Sequence, residues 1–230
     1  MAATERAAAE AIEQRVVDAA LAIAGEVGWE QVRLSTIADR TELPLAEIGR
    51  HFRDVDAIAN AWFARARLAM LAPPTEELTG RPADERIALA FDAWLDSLAR
   101  HRQVAAEVLR HKLYPSHPHH WVPLVFDLSR FVHDLLDVAR VPGSGRLRQA
   151  QEIGLTAITL LTLADWLRDD SPGQERSKQC LQRRLSRAGC LARCMSATKR
   201  ASPATPAGPA PAAEPPPAAP RPRRRGASSA

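Results

Sequence analysis

The stretch Ile37–Ile58, IADRTELPLAEIGRHFRDVDAI, constrains this chain more than any other. Its apolar residues recur every three or four positions, the period of a helix and not of a strand. Ile37 and Ala38 fall on one inner face. Leu43 follows a tight turn, and Pro44 opens a second short helix whose inner stripe is Ile48 and Phe52. Asp54 then caps a longer helix that carries Ile58, Trp62 and Phe63. Two short helices joined this way form a helix-turn-helix.

Ala19, Ala20, Gly28 and Trp29 precede the motif, and Ile37, Ala38, Leu43, Ile48, Phe52, Asp54 and Ile58 lie within it. In residue type and spacing these resemble the TetR family of bacterial regulators over about the first quarter of the chain. The resemblance implies an all-α, TetR-like fold. Residues 1–60 would form the DNA-binding helix-turn-helix domain. Residues 61–198 would form a helical ligand-binding and dimerisation domain, followed by a disordered tail, 199–230. It further implies a cytoplasmic, ligand-responsive repressor that binds a double-stranded DNA operator as a homodimer.

The recognition helix would be Pro44–Phe52, with Leu45, Glu47, Gly49, Arg50 and His51 outward. Leu45 suits a thymine methyl, Arg50 a guanine or a phosphate, and Glu47 a cytosine amino group. Arg33, Pro44 and Arg53 complete the expected contact set, Arg33 as a phosphate ligand standing where the family usually has Ser or Thr. Gly49 removes an aromatic contact common in the family, and Val55 stands where the family has Lys. The turn Thr41-Glu42 replaces a usual Ala-Gly, so the resemblance implies a positive φ at Glu42 and a turn that is altered or strained.

Charge pulls against this reading. Residues 1–60 hold six Arg, no Lys and eleven Asp or Glu, a net charge of −5. Affinity for DNA depends heavily on neutralising phosphates with Lys and Arg. The whole chain is formally +4, yet residues 177–200 carry seven basic residues and no acid. The segment from 174 to 197 reads as a basic amphipathic helix, which could pack on its own acidic body, lie on a membrane or touch nucleic acid. These features support a second resemblance, to coenzyme-Q biosynthesis accessory proteins. Those proteins keep a TetR-like fold without DNA binding, bind lipid or isoprenoid, and use a C-terminal amphipathic helix at the membrane surface.

The remaining chain reads as helices. One is expected over Asp84–Arg100 and another over His101–Leu113, after a loop that runs from Pro73-Pro74 to Pro82. The segment from Tyr114 to Trp121 holds His117, His119 and His120 between prolines and is expected to be a loop. No spacing there fixes a metal site. Val122–Val141 and Arg146–Arg168 are two long apolar helices, and in the family such a pair forms a four-helix dimer bundle. Trp94, Leu98, Val108, Trp121 and Phe126 are candidates to line a pocket for a small apolar ligand. Ser171, Pro172 and Gln174 suggest the capped start of a last helix.

Cys180, Cys190 and Cys194 imply no disulfide framework. No nucleophile elbow, phosphate-cradling glycine loop or zinc signature occurs, so neither an enzyme nor a cofactor is expected. The N-terminus has no signal-peptide pattern. Nine of the 18 prolines fall in residues 201–230, with Ala, Ser and Arg. That composition cannot build a core.

Overall fold

Helical periodicity along the chain becomes ten α-helices among residues 2–112 and 118–201, the part that the computed structural model describes. They are α1 (Ala2–Val27), α2 (Leu34–Thr41), α3 (Leu45–His51), α4 (Val55–Leu71) and α5 (Thr75–Leu78). There follow α6 (Ala83–Ala99), α7 (Arg102–Lys112), α8 (Pro118–Val138), α9 (Gly145–Trp166) and α10 (Glu175–Ala201). No strand occurs among the described residues. Residues up to Arg193 form one compact unit, and Cys194 onward forms a second.

Several boundaries differ from the sequence reading. The loop after Pro73-Pro74 contains a single helical turn, α5. Helix α8 begins at Pro118, so His119, His120 and Trp121 belong to a helix and not to a loop. A proline costs nothing in the first turn, and Pro123 removes only one intrahelical bond, to the His119 carbonyl. Pro44 is the N-cap of α3 and not its first residue. His117 lies outside the described residues, as does the Pro/Ala/Arg-rich segment from 202 onward.

The last helix starts differently from its expected capping box. Gly173 and Gln174 both have positive φ, 64° and 54°, which takes Gln174 out of the capping position. The cap is Asp169. Its Oδ2 accepts from the Ser177 N–H at 2.8 Å and the Ser177 hydroxyl at 2.7 Å, while its Oδ1 accepts from both groups of Ser171. Burial pushes the Asp169 carboxyl up, but these four bonds outweigh it and hold the group far below the usual carboxylate range.

One apolar cluster runs through the helices. Val16, Ala20 and Leu21 of α1 meet Ile37, Ile48 and Phe52 of the helix-turn-helix in it, and it continues through Trp62, Met70, Phe91 and Leu95 to Leu135 and Trp166. Burying side chains of this size contributes about 1.5–3 kcal/mol each. Between α6 and α8, Phe131 meets Phe91 edge-on at 5.5 Å and Trp94 at 4.7 Å.

The first part of α10 packs on its own body. Leu181 and Leu185 join the core, while Lys178 pairs with Asp96 at 2.8 Å and Arg184 with Asp165 at 2.6 Å. Beside Lys178 lies Asp92, whose Oδ1 is buried without a partner. Desolvation raises the Asp92 carboxyl to about 6; Lys178 opposes the rise, and Asp96 and Glu175 add to it. The folded chain therefore holds this proton more tightly than the unfolded chain. The cost of burying the charge grows as pH climbs from about 4 to 6 and is constant above that. Asp92→Asn should raise stability at pH 7.5 by about 1–2 kcal/mol, the exposed fraction of the side chain being discounted, with the gain shrinking towards pH 4. Thermal melts of both proteins across pH 4–8 check the size and sign.

Candidate nucleic-acid interface

The helix-turn-helix is built by local chemistry that the sequence only partly displays. Arg33 is the N-cap of α2, but its own head makes no cap. Its N–H donates to the Thr36 hydroxyl oxygen at 3.2 Å, and that hydroxyl donates to the Arg33 carbonyl at 2.8 Å. Thr36 thus does the work usually given to a capping Ser or Thr, a role the sequence reading missed. Helix α2 ends at Glu42, which has φ 54° and ψ 28°. The left-handed residue expected there is present, occupied by a side chain that disfavours it. The turn lets the Leu43 N–H reach back to the Ala38 carbonyl at 3.2 Å.

Helix α3 rests on Ile48, which is fully buried, and ends on Phe52, 4% exposed. Pro44, Leu45, Gly49, Arg50 and Arg53 stand on the exposed side. Leu45 is 51% exposed, and no atom lies where a Cβ on Gly49 would need room. Glu47 and His51 do not share that exposure, which corrects their assignment as fully outward. The His51 side chain is only 14% exposed and turns back to α1, its Nδ1 lying 3.3 Å from Glu13 Oε1. Glu47 sits one turn earlier on the same flank, close to His51 and ion-paired with Arg50. Beside these residues, an open notch of about 540 Å³ runs between α2 and α3. Ser35, Asp39, Glu42 and Leu45 are among the residues that line it.

The cations of this region are largely engaged by the chain itself. Arg33 Nη1 donates to the Glu30 and Val32 carbonyls at 2.6 and 2.9 Å. Arg40 makes a two-pronged pair with Glu26, at 3.0 and 2.7 Å. Hydrogen bonding from Arg40 holds the Glu26 carboxyl below its usual range. Arg53 Nε donates to Asp54 at 2.8 Å, and Arg15 donates to the Thr41 carbonyl at the end of α2.

Of the five residues expected to line an apolar pocket, the Trp121 side chain lies outside the described part, and the other four divide between core and surface. Trp94, Leu98 and Val108 are packed into the core at 8%, 1% and 1% exposure. Phe126 is 61% exposed on the outer side of α8, because it falls off the stripe that carries Leu128, Phe131 and Leu135. Trp121 lies within the helical backbone of α8.

No family model matches the sequence, and no curated protein matches it either. A solved structure does. The TetR transcriptional regulator from Nitrosomonas europaea is similar, with 33% identity and a TM-score of 0.68. The match covers 77% of this chain and 98% of that one. The chain belongs to the TetR family. The likeness thus extends well beyond the quarter of the sequence where motif residues are recognisable.

In this TetR-family chain the turn residue Glu42 gives a direct test of local strain. A left-handed conformation costs a residue with a side chain about 1–2 kcal/mol. Glu42→Gly should therefore stabilise the protein by about 1 kcal/mol, less the larger backbone entropy that glycine loses. For a chain of this size that corresponds to a rise of about 2–4 °C in Tm, measurable by calorimetry.

Proposed function

We propose that the protein is a DNA-binding transcriptional regulator, a repressor that acts as a homodimer and responds to a small apolar ligand. One observation carries the reading: the exposed edge of α3, formed by Leu45, Gly49 and Arg50, stands on the buried Ile48 in a chain of TetR-family fold. A short helix presented this way fits a major groove. Arg50, with its side chain 73% exposed, is the best placed base reader, and Arg53, 88% exposed, the best placed phosphate ligand. Arg33 becomes a phosphate ligand by turning away from the Glu30 and Val32 carbonyls. Pro44 and Leu45 bring backbone and an apolar surface to the groove, while Glu47 stays as the acceptor that orients Arg50.

Dimerisation is supported by the outer face of α8 and α9. Val125, Phe126, Ile153, Leu160 and Leu161 are each 51–73% exposed there. An isologous pairing through that face places two reading helices on one duplex. The effector is expected to act on the core around Trp94, Leu98 and Val108, shifting DNA affinity by its differential binding to two arrangements of the dimer.

A second reading is favoured by the acidic head. With a net charge of −5 over residues 1–60, an isoprenoid- or lipid-binding role without DNA contact accounts for the missing cations. Genomic footprinting with purified protein decides between the two. Protection of discrete sites supports the regulator. No shift of any fragment at low salt, together with liposome flotation that is lost on removing 174–230, supports the lipid role.

Two variants give numbers. Arg50→Ala should weaken specific binding by roughly 1–3 kcal/mol at fixed salt, and an unchanged affinity removes Arg50 from the contacts. Ile153→Asp should convert the dimer to monomer in sedimentation experiments, since it buries an unpaired carboxylate in the proposed interface.

A further inference from the structure

One helix of the body grips the helix-turn-helix at both of its chain ends. On the upstream side, Glu107 Oε2 of α7 accepts from the Trp29 N–H at 2.6 Å. That contact lies at the turn where Gly28 adopts φ 88°, and a Cβ on Gly28 would sit 3.5 Å from the same oxygen. The positive φ favours glycine there, while a Cβ would meet the carboxylate only at ordinary contact distance. On the downstream side, Lys112 Nζ at the end of α7 donates to Asp56 Oδ1 at 2.5 Å and Asn60 Oδ1 at 2.9 Å, in the first turns of α4. Lys112 is 5% exposed, so its ammonium has left water and relies on these oxygens. The residues between the two grips, 30–55, contain α2 and α3.

We propose that Glu107 and Lys112 are positioning residues that set the angle at which α3 is presented. Neither lies on α2 or α3. They act through the Trp29 backbone and the first turns of α4, so a shift of α7 carries both ends of the reading head together. The consequence for an operator rests on the DNA-binding reading above, but the mechanical claim does not.

Hydrogen exchange on the full chain tests the claim without DNA. Glu107→Leu and Lys112→Met should speed exchange of α2 and α3 amides roughly tenfold while leaving α6 and α9 at wild-type rates. Glu107→Gln keeps a carbonyl oxygen for the Trp29 N–H and should exchange like the wild type. Unchanged α2 and α3 rates overturn the proposal, as does an equal rise in every helix, which is plain global destabilisation. Should Lys112→Met fail to fold, the Leu and Gln variants of Glu107 still decide it. In parallel, a wild type that binds DNA should lose affinity in the Leu and Met variants and keep it in the Gln variant. A wild type that never binds DNA removes the regulator reading, and the exchange rates still judge the positioning role.

Discussion

The hydrophobic core is continuous between the helix-turn-helix and the rest of the body, and the other features depend on that. Trp62 on α4 is 2% exposed, stacks on Phe63 at 5.3 Å, and meets the His101 ring edge-on at 6.4 Å at the start of α7. Desolvation, reinforced by Arg100, pushes His101 below its usual value. Close-packed interiors deform in steps and not continuously. A head that shares its core with the body cannot swing freely, and its orientation is a packing property of the whole unit. Polar contacts at the junction, from Arg67 to Asp134 and from Arg65 to Asp18, then select one arrangement among those that packing allows.

The electrostatics of the head separate two effects that a charge count merges. Local pairing of Arg40, Arg50 and Arg53 does not remove these residues from use, because exposed ion pairs are worth only about 0–1 kcal/mol. A phosphate can displace a surface carboxylate at little cost. The long-range term is harder to escape. Eleven carboxylates against six guanidinium groups give the head a net repulsion for a polyanion, felt mainly from those within about 10 Å of the duplex at 0.1 M salt. Raising salt also weakens the few phosphate contacts available. The geometry of α3 and the charge around it thus point in opposite directions.

Much of this was legible in the sequence where one residue determines one conformation. The Asp54 cap donated to by the Ala57 N–H at 2.8 Å and the inner stripe of Ile48 and Phe52 follow from local spacing. The left-handed turn at Glu42 was legible only through the likeness to a family that has glycine there. Long-range partners were not legible. Nothing near Ser177 marks Asp169 as the cap of α10, because the signal is a carboxylate eight residues upstream reaching across an irregular turn. His51 reads as outward on a helical wheel, yet α1 supplies Glu13 from 38 residues away. Phe126 reads as pocket lining, yet the same helical spacing that turns Leu128, Phe131 and Leu135 inward turns it outward.

Helices α8, α9 and α10 pose the same physical problem and solve it differently. The stripe on α10 carrying Leu181 and Leu185 finds cover within the chain, guided by carboxylates at Asp96 and Asp165 that match its Lys178 and Arg184. The outer faces of α8 and α9 find no such cover among the described residues, although Ile153 is 73% exposed. What borders that face narrows the choice of cover. A groove of about 170 Å³ there is lined by Val125, Leu128 and Val132 together with His133 and Glu152. Glu152 is held at 3.0 Å by both His133 and Arg148, and Arg148 also reaches Asp137. A bilayer laid on the face would draw these ionic groups into hydrocarbon, where a charge at depth costs at least about 2.5–3.5 kcal/mol. A second protein copy would cover the apolar side chains without taking these ion pairs into hydrocarbon, because protein interfaces accommodate polar groups and water. Charge thus weighs against DNA on the head, while a separate cluster on α8 and α9 weighs against lipid and for protein as the cover of that face.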